Sequence, residues 1–355
     1  MKKLGIAVAG YGYWGPNIIR NFLENETARV LYCCDTSKER LAKAGRRFTG
    51  LRTTQRFTDL LNDRAVNAIA IVTPAKSHYS LAKAALERGK HVLVEKPFTT
   101  CVEHAEELCA LAEKRGLVLQ VDHVFVYSPP VQLMHQLIQQ NRLGKIYFID
   151  SVRINLGIFQ NDVNVLWDLA PHDLSIVDFV LAKMPRSLSA IGGIHAGSDL
   201  EDVAYLNLDY GDGLIANFHV SWLSPVKVRQ MIIGGSKQSL IYNDTDVSEK
   251  IKVYDRGINL DGDVEKRTQI LIRYRSGDVW SPSLGNAEAL SSMVADFLNC
   301  IRESRQPVTN GSSGLRVVKI LDAAQRSIKA QGGRISFANS AFSSDSSHKE
   351  RPAGR

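Results

Sequence analysis

Cysteine is scarce in the 355-residue sequence, and its few copies form no pattern that suggests a chemical role. The five cysteines are odd in number and lack the spacing of a metal site or of a redox pair. A disulfide-stapled fold is therefore not expected, and no metal site is predicted. Unpatterned cysteines are typical of a reducing compartment, so we expect a cytoplasmic protein.

Long hydrophobic runs are also missing. No segment approaches the roughly 18 consecutive apolar residues of a membrane-spanning helix, so no membrane partner is expected. The start, MKKLGIAVAG, has the positive charge and the apolar run of a secretory signal. That run breaks at Gly10-Tyr11-Gly12 and has no small-residue cleavage site, so we predict a first β-strand there.

Positively charged residues are in small excess. The net charge is +7, from 44 Lys and Arg against 37 Asp and Glu. Part of the excess lies at the chain ends, and no basic stripe is interleaved with aromatic residues. Nucleic acid is therefore not an expected partner, whereas a small anionic substrate is allowed.

The chain is longer than one ordinary domain. Its two parts differ in their pattern of predicted strands and helices. Residues 1–122 alternate β-rich runs such as LGIAVAG and HVLVEK with helical patterns, which is typical of βαβ units in a doubly wound parallel sheet. Residues 123–335 carry alternating strands between Gly and Asp turns and then two helices, which predicts an α+β domain with a mainly antiparallel sheet. Residues 336–355 are polar and aperiodic and are predicted to be disordered.

The segment AGYGYWGPN sets Gly10, Gly12 and Gly15 in G-x-G-x-x-G register. Alone the pattern is weak, because any glycine turn can produce it. Here it follows a predicted strand and opens a helix with proline at its first position. Such glycines let backbone N–H groups approach a pyrophosphate at the helix N-terminus. Asp35 ends the second strand about 20 residues later, where a carboxylate accepts ribose hydroxyls, so we predict a dinucleotide site.

The segment VLVEKP is a buried strand that ends in Glu95, Lys96 and Pro97. Charged residues at the carboxyl end of a parallel strand lie in the crevice where doubly wound sheets bind ligands, although an exposed strand end is the simpler interpretation. An X-Pro bond can also be cis at low cost, which would turn Lys96 toward the site. Further residues predicted at the cofactor cleft are Tyr13, Trp14, Thr73, Pro74 and His78.

Taken together, these segments resemble the Gfo/Idh/MocA oxidoreductases. The resemblance spans nearly the whole chain, through GYGYWG, TPAKSHYSLAKAALERGKHVLVEKP, GKIYFIDSVRIN, VLWDLAPHDLSIVDFV, SPVKVRQMIIGG and EALSSMVADFLNCI. It implies an N-terminal Rossmann domain, a C-terminal α+β domain whose open sheet forms a homodimer or homotetramer, and NAD or NADP as hydride carrier. The family's catalytic lysine matches Lys96, and its D-x-x-x-H pair matches Asp168 and His172. WDLAPHD and SPVKVR are most similar to the branch that acts on nucleotide-linked sugars in polysaccharide biosynthesis.

Considered from the residues, LWDLAPHD has two interpretations. Because proline is unfavourable deep in a helix, Asp168 to Pro171 would be an entry turn, with Asp168 as cap and His172 as a core histidine. For an isolated D-x-x-x-H that interpretation is favoured. A cofactor domain with a strand-end lysine needs a proton acceptor, however, because oxidation of an alcohol releases hydride and a proton. We therefore assign His172 as general base, Lys96 as the donor to the reacting oxygen and Asp168 as the group that orients His172 or holds a sugar hydroxyl. Asp173 is given a helix-start role.

Four more residues are candidates for the substrate. His123 follows the last Rossmann strand and faces either the nicotinamide or the core. Arg153, Lys227 and Arg229 could hold an anionic substrate, although a solvated strand face is the default for each.

The sequence therefore predicts an NAD-dependent oxidoreductase acting on a CH–OH group of a nucleotide-linked sugar, similar to a UDP-N-acetylglucosaminuronate 3-dehydrogenase. NADP is less favoured, because Asp35 would repel its 2′-phosphate. The alternatives are a dehydrogenase of a free polyol such as an inositol, and a catalytically silent NAD-binding sugar sensor. Retention of Lys96, Asp168 and His172 together argues against the sensor.

Overall fold

Six strands of the N-terminal part form one parallel sheet. They are β1 (Leu4–Ala9), β2 (Ala28–Cys34), β3 (Arg52–Thr54), β4 (Ala68–Ile71), β5 (His91–Val94) and β6 (Leu119–Val121). Their order is β3-β2-β1-β4-β5-β6, the doubly wound order that the alternating pattern predicts. The order reverses between β1 and β4, so a crevice opens beyond the carboxyl ends of these two strands. The chain is described by a computed structural model over residues 3–157, 159–160, 162–197, 199–258 and 274–337.

Helices cover both faces of this sheet. They are α1 (Gly15–Glu24), α2 (Lys38–Arg47), α3 (Phe57–Asn62), α4 (His78–Glu87) and α5 (Val102–Arg115). Because both faces are covered, all four residues of the apolar strand β4 are buried. The prediction of a first strand in place of a signal segment is confirmed by β1, which is almost entirely buried. Strand β3 and helix α3 were not predicted, because three and six residues are too short to show a period.

The second sheet has nine strands. They are β7 (Ile146–Leu156), β8 (Ser187–Gly193), β9 (Val203–Gly211), β10 (Leu214–Ser221), β11 (Leu223–Gly235), β12 (Ser239–Asn243), β13 (Ile251–Ile258), β14 (Tyr274–Trp280) and β15 (Ile335–Ser336). Their order is β14-β13-β12-β11-β7-β10-β9-β8-β15, and every pair is antiparallel except β10 with β7. The predicted α+β domain with a mainly antiparallel sheet is confirmed. Of the predicted disordered tail, Ser336 belongs to β15, and residues 338–355 lie outside the described residues.

The helices of the second part are α6 (Pro129–Gln139), α7 (Val165–Leu181), α8 (Ala289–Glu303) and α9 (Gly311–Lys329). The predicted entry turn at Asp168 to Pro171 is wrong. Helix α7 begins three residues earlier, where the Asn164 side chain accepts a hydrogen bond from the Trp167 N–H, so Pro171 lies inside the helix. The helix tolerates it because most of its residues are buried between the second sheet and α9, which offsets the roughly 3 kcal/mol cost of an internal proline.

The boundary at residue 122 stays a prediction, and two helices that follow it in the sequence also contact the first part. Helix α8 lies far along the sequence but packs against α1 of the first part, where Phe297 meets Phe22 at 6.3 Å between ring centroids. Helix α9 contacts both α5 of the first part and α7 of the second. The two parts are therefore joined through helices that the chain order assigns to the second domain. Within the described residues, no helix combines the length and apolar character needed to cross a membrane.

Candidate active site

The predicted residues converge on the carboxyl edge of the first sheet. Gly10 follows β1, Thr73 follows β4 by two residues, and Lys96 follows β5. Asp35 directly follows β2. Because all six strands are parallel, these residues lie along one edge, with β1 and β4 at the point where the strand order reverses.

The glycine turn has the geometry that a pyrophosphate needs. Gly10 has a φ of +102°, and a Cβ there would lie 2.2 Å from the Val72 carbonyl oxygen. A Cβ on Gly15 would lie 2.4 Å from the Gly10 carbonyl oxygen. These two glycines are therefore required by the turn itself. A Cβ on Gly12 would meet nothing within 4 Å, so that position keeps space open in front of the turn.

Helix α1 begins directly at this open space. Its N-cap residue, Trp14, provides no side-chain hydrogen bond, and Pro16 occupies the first turn. The Asn17 N–H already donates to the Trp14 carbonyl oxygen, so the Gly15 N–H is the first-turn donor that remains for an anionic ligand. Tyr13 and Trp14 stand beside the turn, 80% and 43% exposed, with their rings edge to face at 5.4 Å.

Asp35 is tied to the glycine turn by backbone hydrogen bonds. Its Oδ2 accepts from the Tyr11 N–H at 2.7 Å and its Oδ1 from the Ser37 N–H at 2.8 Å. Each carboxylate oxygen retains a second lone pair for a ribose hydroxyl. The Arg40 guanidinium lies 3.8 Å from Oδ2, a neighbour that the sequence pattern did not reveal because it is one helical turn away.

His78 is buried between two of the loops at this edge. Its Nδ1 lies 2.8 Å from the Pro97 carbonyl oxygen and its Nε2 lies 2.8 Å from the Thr73 carbonyl oxygen. Burial lowers the pKa of His78. The neutral ring carries one N–H, so it donates to one of these two carbonyl oxygens, and it lies between the loops after β4 and β5. Pro74 precedes the short 3₁₀ helix Ala75–Ser77 in the same loop.

Lys96 reaches across to α7. Its Nζ donates to the Asp168 carbonyl oxygen and to Asp168 Oδ1, both at 2.8 Å. The Lys96–Pro97 peptide bond is cis, as the sequence allowed. The other oxygen of Asp168 accepts from the Trp222 indole N–H at 3.1 Å. The Asp168 carboxylate therefore orients Lys96, and no hydrogen bond joins it to His172 in the part of the chain that the structure describes.

Two carboxyl groups lie behind Lys96. Glu95 and Asp122 are both about 8% exposed or less. Burial raises the pKa of Glu95, and the nearby Asp122 charge raises it further. Burial also raises the pKa of Asp122, against the opposing charge of Lys96. The pair therefore retains a proton at a pH where exposed carboxyl groups have lost theirs.

His172 lies one helical turn beyond Asp168 on α7 and is partly buried. Phe125 packs edge-on against its ring at 5.1 Å, and Nδ1 is buried without a hydrogen-bond partner among the described residues. Burial lowers the pKa of His172 well below its usual range, and the charges of Lys96 and Arg153 lower it further. The imidazole is therefore neutral at physiological pH, which is the form a proton acceptor requires.

His123 follows β6 and is 1% exposed. Neither ring nitrogen has a hydrogen-bond partner among the described residues. Burial, with the Lys96 charge, lowers the pKa of His123 to about 3, so this ring is neutral too.

Arg153 does not lie on a solvated strand face. Its guanidinium makes two hydrogen bonds to the Asp173 carboxylate, at 2.9 and 2.7 Å, and both side chains are buried. The predicted helix-start role of Asp173 is therefore wrong, because α7 begins eight residues earlier and Asp173 neutralises Arg153. A guanidinium bound in this way is not available to a substrate phosphate.

Lys227 and Arg229 lie on β11. Lys227 is exposed, and Arg229 is partly buried with its Nη1 3.4 Å from Asp244. Trp222 was missed as a site residue. The sequence did contain an indication of its position. Apolar residues alternate at Ala216, Phe218 and Val220, and this alternation continues to Trp222 on the covered face of the sheet.

The residues present fit a nicotinamide dinucleotide. Gly12 leaves the space that a pyrophosphate would fill, the Gly15 N–H at the start of α1 is a donor, and Asp35 has acceptor capacity for ribose hydroxyls. Lys96 stands farther along the same edge, where the nicotinamide end would lie.

Comparison with known proteins agrees with this geometry. The N-terminal model of the Gfo/Idh/MocA family, described as an oxidoreductase family with an NAD-binding Rossmann fold, matches residues 4–123. The family's C-terminal domain model matches residues 131–241. The predictions of an NAD cofactor and of an oxidoreductase are thereby confirmed.

Individual relatives support the same assignment. UDP-N-acetylglucosamine 3-dehydrogenase of Acidithiobacillus ferrooxidans is 29% identical over 71% of this chain and 76% of its own length. A solved structure of that enzyme superposes with a TM-score of 0.78 at 25% identity, covering 93% of this chain and 99% of the other. The scyllo-inositol 2-dehydrogenase (NADP(+)) of Bacillus subtilis is 24% identical over 92% of each chain. The chain belongs to the Gfo/Idh/MocA family of NAD-binding oxidoreductases.

Proposed function

We propose that this protein transfers hydride between NAD and a secondary hydroxyl or ketone of a nucleotide-linked sugar. The observation that carries the reaction type is the contact of Lys96 with Asp168, one helical turn from His172. This contact brings the strand-end lysine of the cofactor domain to the helix that carries the proton acceptor.

Lys96 has one donor left for the substrate. An ammonium group has three N–H bonds, and two are directed at the carbonyl and carboxylate oxygens of Asp168. The third can donate to the reacting oxygen and stabilise the negative charge that develops when the hydroxyl loses its proton. Asp168, itself held by the Trp222 indole, fixes the direction of that donor.

His172 takes the hydroxyl proton. Its imidazole is kept neutral by burial and by the surrounding cations, so it can accept the proton as the alcohol is oxidised and return it in the reverse reaction. When bound, NAD supplies the hydride acceptor. Phe125 packs on one side of the imidazole and limits its rotation.

The nucleotide-linked substrate class is supported by the dehydrogenase of Acidithiobacillus ferrooxidans, whose name gives a UDP-sugar. In this chain the exposed basic residue that remains for a diphosphate is Lys227, because Arg153 is paired with Asp173 and Arg229 lies 3.4 Å from Asp244. Because fewer cations remain for a diphosphate, the second candidate, a free polyol, is also favoured. The inositol dehydrogenase relative supports that alternative.

Steady-state kinetics separates the two candidates. UDP- and dTDP-sugars, including uronic acids and N-acetylated forms, would be compared with myo-inositol and free glucose at the NADH absorbance. We expect a higher kcat/KM for a nucleotide sugar, an increase of KM in Lys227→Gln, and no effect of Lys227→Gln on any free polyol. A kcat/KM for a free polyol that equals or exceeds that of every nucleotide sugar would reject the proposal. Turnover of no compound in the panel would favour the sugar sensor.

We also propose that the outer face of the second sheet joins subunits into a dimer or tetramer. One row across β8, β9 and β10 pairs Ile191 with Tyr205 and Tyr205 with His219. Ile191 is 56% exposed and Tyr205 is 45% exposed, and the Tyr205 and His219 rings stack at 4.3 Å. An apolar row of this kind on an uncovered face is typical of a subunit contact. Light scattering of the protein and of Ile191→Glu tests it, and a monomeric wild-type protein would reject it.

A further inference from the structure

An exposed aromatic ring lies next to the groups that hold the catalytic lysine. Phe159 follows the end of β7 by three residues and is 37% exposed. Its ring packs on the ring of Trp222, with 5.3 Å between the two centroids. Trp222 is only 1% exposed. Phe159 is therefore the ring of this pair that a bound molecule can reach.

The backbone around Trp222 places Phe159 against the indole. The Trp222 N–H donates to the Asp202 carbonyl oxygen, and the Trp222 carbonyl oxygen accepts from the Gly157 N–H, both at 2.9 Å. A Cβ on Gly157 would lie 2.7 Å from the indole carbon Cδ1, so glycine is required for the chain to pass this close to a buried ring. Phe159, two residues later, is held on the indole by this close approach.

Trp222 connects Phe159 with the reacting groups. Its indole N–H donates to Asp168 Oδ2 at 3.1 Å, and Asp168 Oδ1 accepts from Lys96 Nζ at 2.8 Å. One indole and one carboxylate thus separate Phe159 from the lysine. In the proposed reaction the third N–H of Lys96 donates to the reacting oxygen. The carbon ring that bears this oxygen is then the part of a substrate that lies nearest to Phe159.

The loop of Phe159 also approaches the cofactor domain. Burial lowers the pKa of His78, and the charge of Asp162 acts in the opposite sense, so Asp162 lies near that ring. His78 Nδ1 in turn lies 2.8 Å from the carbonyl oxygen of Pro97, the residue directly after Lys96. The described residues of this loop therefore border the space beside Lys96 from two sides, through Phe159 and through Asp162.

The face of a phenylalanine ring suits one feature of cyclic polyhydroxy compounds. A pyranose or an inositol with mostly equatorial hydroxyls carries axial C–H bonds on the two faces of its ring. These bonds are apolar and slightly positive, whereas the face of a benzene ring is negative. Ligand sites typically combine an apolar wall of this kind with a few polar groups that fix orientation.

We propose that Phe159 stacks on the C–H face of the substrate ring and directs the reacting hydroxyl toward Lys96 and His172. The inference rests on the proposed dehydrogenase function and adds a residue that recognises the substrate. It applies to a nucleotide-linked sugar and to a free inositol, because both rings present such a face. A nucleobase is not the expected partner of Phe159, since a diphosphate separates it from the reacting ring.

Two substitutions at one position test the stacking. Phe159→Tyr keeps the flat ring, whereas Phe159→Leu keeps an apolar cover on Trp222 without it. For the compound that is turned over, we expect Phe159→Leu to raise KM by about threefold to tenfold with little change of kcat, because stacking contributes equally to substrate and transition state. Phe159→Tyr should stay close to wild type. An unchanged KM in Phe159→Leu would overturn the proposal.

A neighbouring variant separates stacking from support of the catalytic groups. Trp222→Phe keeps an aromatic ring beneath Phe159 but removes the N–H that Asp168 accepts. We expect it to lower kcat by about tenfold with a smaller effect on KM, because Asp168 no longer fixes the direction of Lys96. If Phe159→Leu shows the same loss of kcat as Trp222→Phe, Phe159 acts only through Trp222 and the stacking is rejected.

A binding measurement without turnover uses saturation-transfer NMR. The protein would be deuterated except at phenylalanine, and the phenylalanine rings would be irradiated in the presence of NADH and either UDP-N-acetylglucosamine or myo-inositol. We expect transfer to the ring C–H protons of the probe in wild type. The signal should be weaker in Phe159→Tyr, which keeps the stacking ring but carries deuterium on it.

The outcomes of this measurement separate the inference from the proposed function. If no compound is oxidised but the difference is found, the dehydrogenase function fails and the stacking stands. If a sugar is oxidised and wild type and Phe159→Tyr give equal signals, the stacking is rejected and the function stands. A difference confined to the uracil protons would assign Phe159 to the nucleobase and reject the proposal, as would the absence of transfer to both probes.

Discussion

The cofactor half and the catalytic half of the cleft are built in different ways. The cofactor half consists mostly of backbone: Gly10 and Gly15 are required by the turn, Gly12 leaves space, and Asp35 is fixed by two backbone N–H groups. The catalytic half consists of side chains from distant segments, with Lys96 held by Asp168 across 72 residues. The first half depends on local chain geometry, and the second depends on how the two parts of the molecule pack.

Removal of the catalytic lysine should have the largest effect. We expect Lys96→Ala to lower kcat by about 10²-fold or more, because the donor to the reacting oxygen is lost. NAD binding should be retained, since the glycine turn is intact. Turnover assays and NAD titration measure the two quantities. His172→Ala should behave alike, whereas Asp168→Asn, which keeps an oxygen for Lys96, should cost less.

An unchanged kcat in the His172 variant would restore the interpretation of a core histidine. A large loss of NAD affinity in the Lys96 variant would show that Lys96 also belongs to the cofactor half of the cleft, and would contradict the separation of the two halves.

Substitutions in the glycine turn should instead lower the affinity for NAD or the thermal stability. We expect Gly12→Ala to fold normally, because its Cβ meets nothing within 4 Å, but to bind NAD about tenfold more weakly, because that Cβ enters the space for the pyrophosphate. Gly10→Ala should instead lower the melting temperature, since its Cβ would lie 2.2 Å from the Val72 carbonyl oxygen. Thermal unfolding and NAD titration on both variants provide the check. Equal NAD affinity of Gly12→Ala and wild type would place the pyrophosphate elsewhere.

The same division explains what the sequence could predict. The turn at Gly10, Gly12 and Gly15 was recognisable because its requirements are met within a few consecutive residues. The pairing of Arg153 with Asp173 was not recognisable, because nothing near Arg153 in the sequence shows that β7 faces α7. The alternation of β7 predicted that Arg153 was on one face of a sheet but not which face was buried. The start of α7 was missed because Pro171 normally ends or begins a helix, and only the packing of that helix reveals the exception.

Buried neutral histidine should make the catalytic half sensitive to acid. The pKa of His123 is lowered to about 3 in the folded state, so the unfolded chain binds more protons below pH 6.5 and stability decreases as the pH falls. Relative to His123→Phe, we expect the free energy of unfolding of wild type to decrease by up to about 1.4 kcal/mol per pH unit below 6.5. The raised pKa values of Glu95 and Asp122 act in the opposite sense. They are present in both proteins, so the difference between two denaturant series isolates His123. Parallel curves from pH 7 to 4.5 would show that His123 is protonated in the folded protein.

Cofactor preference should show the smallest effect, because Asp35 has a positive neighbour. The carboxylate repels a 2′-phosphate, but Arg40 lies 3.8 Å from it, on an exposed side chain that can turn outward. We expect wild type to bind NAD more tightly than NADP. We expect Asp35→Asn to improve NADP binding by about threefold to tenfold, because the amide removes the repulsion. Its oxygen can still accept from the Tyr11 N–H, while the hydrogen bond from the Ser37 N–H is lost. Arg40→Ala in the Asp35→Asn background should cancel most of that gain, and Lys43→Ala serves as the control for general charge on α2. Dissociation constants for both cofactors decide the matter. Tighter binding of NADP than of NAD by wild type would show that Arg40, rather than Asp35, controls the ribose end of the site.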